Sequence, residues 1–353
     1  VAGRTGGSVD EAKTMAERSL AEKLMNPPVS ALSRDGKTVR SYRAGVIKTS
    51  MSRPILRYTV TGFDRERGAP FRAVIIGKGY YRYDGAETFG FMNRLWSEGF
   101  AEPDRLTIPE PIAYLPEMRL LLQSQAEGKA LYDYIDNPGE ARGAVRLTAR
   151  WLAKLHATGV TDAPVLPPDF EESKLRAYKE MLMQICPPHA RRVEDFTEHI
   201  ISSLKALDPR RVVPTHGDFQ PKNVYVLRDR VTVIDFDRFA LAHPARDLGH
   251  FVGQSMTMSC ARAGSFEAIG PWNAAFLEEY ARLAPPGALA AMPVFVARTF
   301  MEVLKHKIFL DPAKNARLLP AWLDECERWL GKAHDSPEAE RGESRLSRRE
   351  SEA

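Results

Sequence analysis

Cysteine is scarce in this sequence. The three present, Cys186, Cys260 and Cys326, lie far apart with neither C-x-x-C nor metal-ligand spacing, which excludes a disulfide framework and a structural zinc site. A reducing, cytoplasmic compartment fits best. Long apolar runs are missing too: nothing approaches about 18 uninterrupted apolar residues, so no membrane partner is expected. Val1 to Asp10 lacks the apolar centre of a signal peptide, and the chain reads as soluble and unexported. Nor is there charge of one sign. The 50 Lys and Arg exceed the 46 Asp and Glu by only four, with both signs interspersed, so nucleic acid is not an expected partner. From Gly331 to Ala353 apolar residues almost vanish among Glu, Arg and Ser. Such a tail cannot bury enough surface to offset its ordering entropy and is expected to be disordered.

What is present suits two lobes around a cleft, since the chain has 353 residues and is 44% hydrophobic. Residues 1–35 read as an extension carrying an amphipathic helix, Ala12 to Met25, closed by Asn26-Pro27-Pro28. Residues 36–125 read as a small lobe. There Ile55 to Val60 and Phe71 to Ile76 are β-branched and aromatic, separated by Gly62 and Arg67-Gly68, as in antiparallel strands. A helix from Ala86 to Gly99 and a strand from Met118 to Gln123 complete it. Residues 126–330 read as a larger, mainly helical lobe, with helices over Glu140–Thr158, Glu172–Cys186 and Glu194–Leu207. Two strand signals, Asn223 to Leu227 and Arg230 to Phe236, interrupt them, and helices resume after Pro244. The fold class is α+β.

The most informative segment is Thr215-His216-Gly217-Asp218-Phe219-Gln220-Pro221-Lys222-Asn223, followed by Val233-Ile234-Asp235-Phe236-Asp237. Phosphoryl transfer needs a carboxylate to orient the attacking hydroxyl and accept its proton, and oxygen ligands for the Mg²⁺ that neutralises the triphosphate. Asp218 suits the first task, and Asn223 and Asp235 the second. A tight loop and a hairpin can bring the three to one edge. The bland alternative is a loop in which Asp218 caps a turn and Asn223 satisfies its own backbone. Asp237, two strand positions on, either faces the same side as Asp235 or bonds a neighbouring backbone group.

HGDFQPKN followed by VIDFD resembles the aminoglycoside phosphotransferase and choline kinase family, whose pattern is H-x-D-x-x-x-x-N and then a hydrophobic strand ending in I-D-F or I-D-W. The resemblance implies the two-lobed protein-kinase-like fold, with a small antiparallel-sheet N-terminal lobe and a larger, mainly helical C-terminal lobe. It further implies His216 as a scaffold residue of the catalytic loop, Asp218 as the base, and Asn223 and Asp235 as ligands of Mg²⁺. Phe236 is followed by Asp237 instead of the glycine of D-F-G, which points away from protein substrates.

The same resemblance asks for a small-lobe lysine on the α- and β-phosphates and a helix glutamate to hold it. Lys78 and Glu87 are the candidates; the alternatives are a solvated hairpin lysine and a carboxylate favoured by a helix N-terminus. Leu120 to Gln125, ahead of Gly128, resembles the connector that meets the adenine edge, with Gln123 and Gln125 as candidate nucleotide-binding residues. No G-x-G-x-x-G precedes Lys78; in its place Arg43 to Arg53 lies between strand signals, and either Ser50, Ser52, Lys48 or Arg53 covers phosphates or the segment is a solvated polar hairpin. Pro244-Ala245-Arg246-Asp247-Leu248 resembles the family's P-x-x-D-L segment, which implies that Asp247 braces the catalytic loop; the alternative is an ordinary acidic residue in a first helical turn. His156, closing L-x-x-L-H, reads as a packed scaffold residue.

The expected function is therefore a small-molecule kinase moving the γ-phosphate of ATP or GTP to a hydroxylated metabolite or antibiotic. The alternative is a catalytically inactive kinase-fold protein that binds nucleotide and regulates; the presence of Asp218, Asn223 and Asp235 together argues against it. A protein kinase is disfavoured because no A-P-E follows Asp235. The acceptor is not legible. From His156 to Thr215 nine acidic residues stand against eight basic, and from Phe251 to Leu330 eight against eight, a balance that gives polycationic aminoglycosides no special support.

Overall fold

The computed structural model describes residues 23–34, 36–49, 53–81, 84–167, 169–284 and 287–334. The chain divides into two compact units, Val1–Glu127 and Gly128–Ala353.

In the first unit, β1 (Lys37–Thr49), β2 (Pro54–Asp64), β3 (Ala69–Gly79), β5 (Pro111–Leu115) and β6 (Leu120–Ser124) form an antiparallel sheet in the order β1-β2-β3-β6-β5. β4 is the two-residue segment Leu106–Thr107. Side chains alternate along β2, and Leu56, Tyr58 and Val60 point into a core shared with Leu24, Leu32, Val39, Ile75, Leu120 and Leu122. The Tyr58 hydroxyl inside that core donates to the Leu24 carbonyl. Gly62 does not separate strands as expected. It lies within β2, where a side chain would strike the Thr38 carbonyl oxygen at 2.1 Å, beside the register shift between Val39 and Ser41. The segment expected to cover phosphates is strand from Arg43 to Thr49, paired with Pro54 to Thr59; Ser50 and Ser52 lie outside the described residues. Helix α1 (Ala86–Leu95) ends in a wider turn, Trp96–Phe100, where Gly99 takes φ 92°. Of the N-terminal helix, 12–22 lie outside the described residues.

The second unit is built on α2 (Arg142–His156), α3 (Phe170–Ile185), α4 (Ala190–Lys205), α5 (Ala245–Ala263), α6 (Gly270–Ala281), α7 (Met292–Leu310), the single turn α8 (Pro312–Asn315) and α9 (Leu319–His334). Gly331 to His334 thus continue α9; of the predicted tail, 335–353 lie outside the described residues. Between α4 and α5 come β8 (Val213–Thr215), β9 (Val224–Leu227), β10 (Arg230–Val233) and β11 (Ala240–Ala242). β9 pairs antiparallel with β10 and with β7 (Lys129–Ala130), and β8 pairs with β11. In α2, Val145, Ala149, Leu152 and Leu155 recur at helical spacing and are fully buried, while Arg150 on the outer face meets Glu279 at 2.6 Å.

Two glycines set the approach of α5 to α7. A side-chain carbon on Gly249 would lie 2.4 Å from Phe295 Cβ, and one on Gly253 would lie 2.8 Å from Thr299. Small residues at positions i and i+4 let the helices close, which places His250, on the same helix, against Thr299. All three cysteines are free. Among the described residues no helix is long and apolar enough to cross a membrane.

Candidate active site

The loop from His216 to Asn223 is held from below by an aromatic cluster. Trp151 of α2 stacks on Phe219 with centroids 5.7 Å apart, and Phe219 in turn packs on Phe251 and Phe276. His216 sits 4.9 Å from the Phe236 ring centroid. Its hydrogen bonds fix one tautomer: Nε2–H donates to the Ile234 carbonyl at 3.0 Å, and Nδ1 accepts the Asp218 N–H at 3.2 Å. Complete burial, opposed by the charges of Asp247 and Asp218, depresses its pKa. A neutral ring thus ties the His216 to Asn223 loop to the β10 side.

Asp247, on the first turn of α5, has no solvent exposure. Its two oxygens accept the backbone N–H groups of His216 (2.7 Å) and Gly217 (2.8 Å), and His156 Nε2 approaches Oδ2 at 3.3 Å. The Tyr280 hydroxyl lies 2.7 Å from the other His156 nitrogen. Burial pushes the Asp247 carboxyl up, but the His156 hydrogen bond and the neighbouring charges of His156 and Arg246 outweigh it and hold it ionised. Gly217 must be glycine for two reasons. Its φ is +80°, and a side chain there would meet the Arg238 carbonyl at 2.1 Å.

This frame aims Asp218. Oδ2 accepts from Gln220 Nε2 at 3.0 Å and Asn223 Nδ2 at 3.1 Å, while Oδ1 accepts from His250 Nε2 at 3.1 Å. The Arg238 guanidinium stands 3.8 Å from Oδ1. Burial alone would raise the pKa; the His250 hydrogen bond and charge, then Arg238, reverse that and keep the carboxyl far below its ordinary range. Asp218 is therefore a carboxylate, partly open to solvent and fixed in direction.

Asn223 spends its amide on the Asp218 carbonyl (2.9 Å) and carboxylate, which leaves Oδ1 as the atom that can face a cation. The Ile234 N–H donates to the Asn223 carbonyl at 2.9 Å, so Asp235 follows directly after a tie to Asn223. Asp235 has φ 77°, a region a non-glycine residue adopts at a cost and keeps chiefly where function requires it. An amide oxygen and a carboxylate are hard donors of the kind Mg²⁺ prefers, so these residues fit that ion. No group of three or more His, Cys, Asp or Glu able to hold a metal occurs among the described residues.

Sequence reasoning missed His250, Arg238 and Glu302. His250 lies one turn after Asp247 on α5, and its Nδ1 is 3.4 Å from Thr299 Oγ1 and 3.9 Å from Glu302 Oε2. The signal available was helical spacing: three residues after the aspartate of P-x-x-D-L, a side chain shares its face.

The remaining predicted residues belong to the first unit. Lys78 lies within β3, opposite Ile55 and Leu121, and is only 5% exposed, which rules out the solvated hairpin lysine. Glu87 is exposed on the first turn of α1 and makes no ion pair among the described residues. Gln123 is buried in β6 opposite Ile76. The Gln125 backbone N–H is taken by the Val74 carbonyl at 3.3 Å, so an adenine edge at this segment would have to be met by other backbone groups.

The sequence model of the family described as Phosphotransferase enzyme family matches residues 79–292, more than half of the chain. No curated protein matches it in sequence. Among solved structures, it is similar to an amicoumacin kinase in complex with AMP-PNP, Ca²⁺ and Ami, at 15% identity over 91% of this chain and 96% of that one, with a TM-score of 0.57. It is also similar to a choline/ethanolamine kinase family protein from Mesorhizobium loti (13% identity, 93% and 97% covered, TM-score 0.54). A choline kinase from Cryptosporidium parvum aligns at 12% identity over 90% and 95%, with a TM-score of 0.52. At such identities the likeness is one of fold.

Proposed function

Since the chain belongs to the phosphotransferase enzyme family, we propose that it transfers the γ-phosphate of ATP or GTP to a hydroxyl of a small metabolite or antibiotic. In the step proposed, the acceptor oxygen bonds to the γ-phosphorus as the bond to the β-phosphate oxygen breaks. The nucleoside diphosphate leaves, and the acceptor proton passes to Asp218.

The observation that carries this reading is the state of Asp218: ionised, partly exposed, and aimed through both oxygens by His250, Gln220 and Asn223. A carboxylate with so depressed a pKa orients the hydroxyl first and takes its proton late, which suits the loose transition state of phosphoryl transfer. Asn223 and Asp235 would hold Mg²⁺, which supplies charge neutralisation on the phosphates when bound. Lys78 is the candidate for the α- and β-phosphates. Its burial favours a side chain held in place over one solvated at random. Glu87, Gln123 and Gln125 remain candidates on the nucleotide side.

The test is transfer of labelled γ-phosphate to a set of hydroxylated metabolites and antibiotics, with ATP and GTP as separate donors. Product formed by the parent and absent with Asp218→Asn is expected. Nucleotide binding without transfer to any acceptor would favour a regulatory protein on the same fold.

A further inference from the structure

Beside Asp218 runs a chain of alternating charges contributed by four segments of the second unit. Arg246 Nε meets Glu171 at 3.0 Å, and Glu171 meets Arg298 Nε at 2.7 Å. Arg298 also pairs with Glu302, which meets Arg238 Nη1 at 3.3 Å; that same Nη1 stands 3.8 Å from Asp218 Oδ1. Three guanidinium groups thus balance three carboxylates, one of them the candidate base.

The balance is then broken by lysine. Lys174 of α3 lies half-buried against the ring of Phe170, with Nζ 4.0 Å from its centroid, and makes no ion pair among the described residues. Lys305 of α7 rests over Tyr178 at 5.6 Å and likewise has no carboxylate partner there. The guanidinium atoms Arg246 Nη1 and Arg298 Nη2 are buried without a hydrogen-bond partner. The field at Lys174 agrees with this surplus. Burial, then Arg298 and Arg238, pull its pKa down to about 8 against the opposing pull of Glu171 and Glu302. Unpaired cations cost free energy when partly desolvated, and an anion brought to them recovers it. Arg238, with 47% of its side chain exposed, can reach a ligand; Arg298, at 3%, can only position Glu171 and Glu302.

We propose that the acceptor of this phosphotransferase carries an anionic group, a carboxylate or a phosphate, which Lys174 and Arg238 hold beside Asp218. The assignment rests on the phosphotransferase reading and names its substrate class. A polycationic acceptor would meet this surplus as repulsion. Near-equal charge along the sequence conceals the asymmetry because the residues that create it come from α3, α5, α7 and the segment after β10.

The experiment is the labelled-phosphate screen with acceptors sorted into anionic (hydroxy acids and phosphorylated alcohols, scored apart), neutral and cationic sets. Transfer to the anionic set is expected, and the two scores tell carboxylate from phosphate. For the acceptor found, Lys174→Met should raise KM about tenfold with kcat within about threefold, the loss of one charge-assisted contact. Lys174→Arg should restore most of the loss, and Lys174→Glu should abolish the preference for anions. Transfer only to neutral or cationic acceptors, or a KM that Lys174→Met leaves unmoved, would overturn the assignment while the phosphotransferase reading stood. No transfer to any set by protein that binds MgATP would overturn both.

Discussion

His250 Nε2 lies 3.1 Å from Asp218 Oδ1, a contact across 32 residues of sequence made from a helix that Gly249 and Gly253 let close on α7. It gives the carboxylate a donor on the side opposite Asn223, so the aim of Asp218 is set from two directions.

The first expectation concerns that contact. His250→Ala should lower kcat by about tenfold or more, the loss of a hydrogen bond to a charged group. His250→Gln, whose amide can still donate, should recover part of it. MgATP affinity measured by calorimetry should stay near that of the parent for both, and a parental kcat in His250→Ala would remove this residue from the positioning of Asp218.

Asp247 offers the second. It accepts two loop N–H groups with no exposure to solvent, and Asp247→Asn must turn an amide N–H against one of those donors. A loss of about 1–3 kcal/mol in unfolding free energy is expected from the unsatisfied pair. Denaturant titration measures it, and the variant's transfer rate should fall as well because Gly217 and Asp218 lose their anchor. Unchanged stability would mean the loop is braced elsewhere.

Much of this framework was legible in advance. The H-G-D-F segment and the two short strands after it announce a loop and a hairpin, since Asn223 and Arg228-Asp229 mark turns between β-branched runs. Asp247 was legible from P-x-x-D-L. The expected strand ended at Ile76, whereas β3 runs on to Gly79, because pairing with β6 carries Lys78 and Gly79 into the ladder through Leu121 and Leu120. What the sequence hid are the contacts made at long range. Arg298 meets Glu171 across 127 residues and Arg238 meets Glu302 across 64, and nothing in the local spacing of these residues signals either partner.

A third expectation comes from His243, which stacks on Phe295 and accepts the Ala245 N–H at 3.2 Å. Burial first, then the charges of Arg211 and His156, lower its pKa from 6.5 to about 4. The folded state therefore binds fewer protons than the unfolded one between these values. Its contribution to stability is complete above pH 6.5 and is lost as pH falls towards 4. Thermal unfolding across that window should show a steeper decline for the parent than for His243→Asn, which keeps an acceptor for Ala245 but cannot titrate there. Parallel declines would show that other groups set the slope.

The central claim is that Asp218 is the catalytic carboxylate, and Asp218→Asn tests it with the least change of shape. Nucleotide binding, which we propose for Lys78, Asn223 and Asp235, should survive, and MgATP affinity should remain near that of the parent. Single-turnover transfer from labelled MgATP to the acceptor should fall about a hundredfold or more, as expected when the group that receives the proton is removed. Transfer within a few-fold of the parent would contradict the account and reject Asp218 as the base.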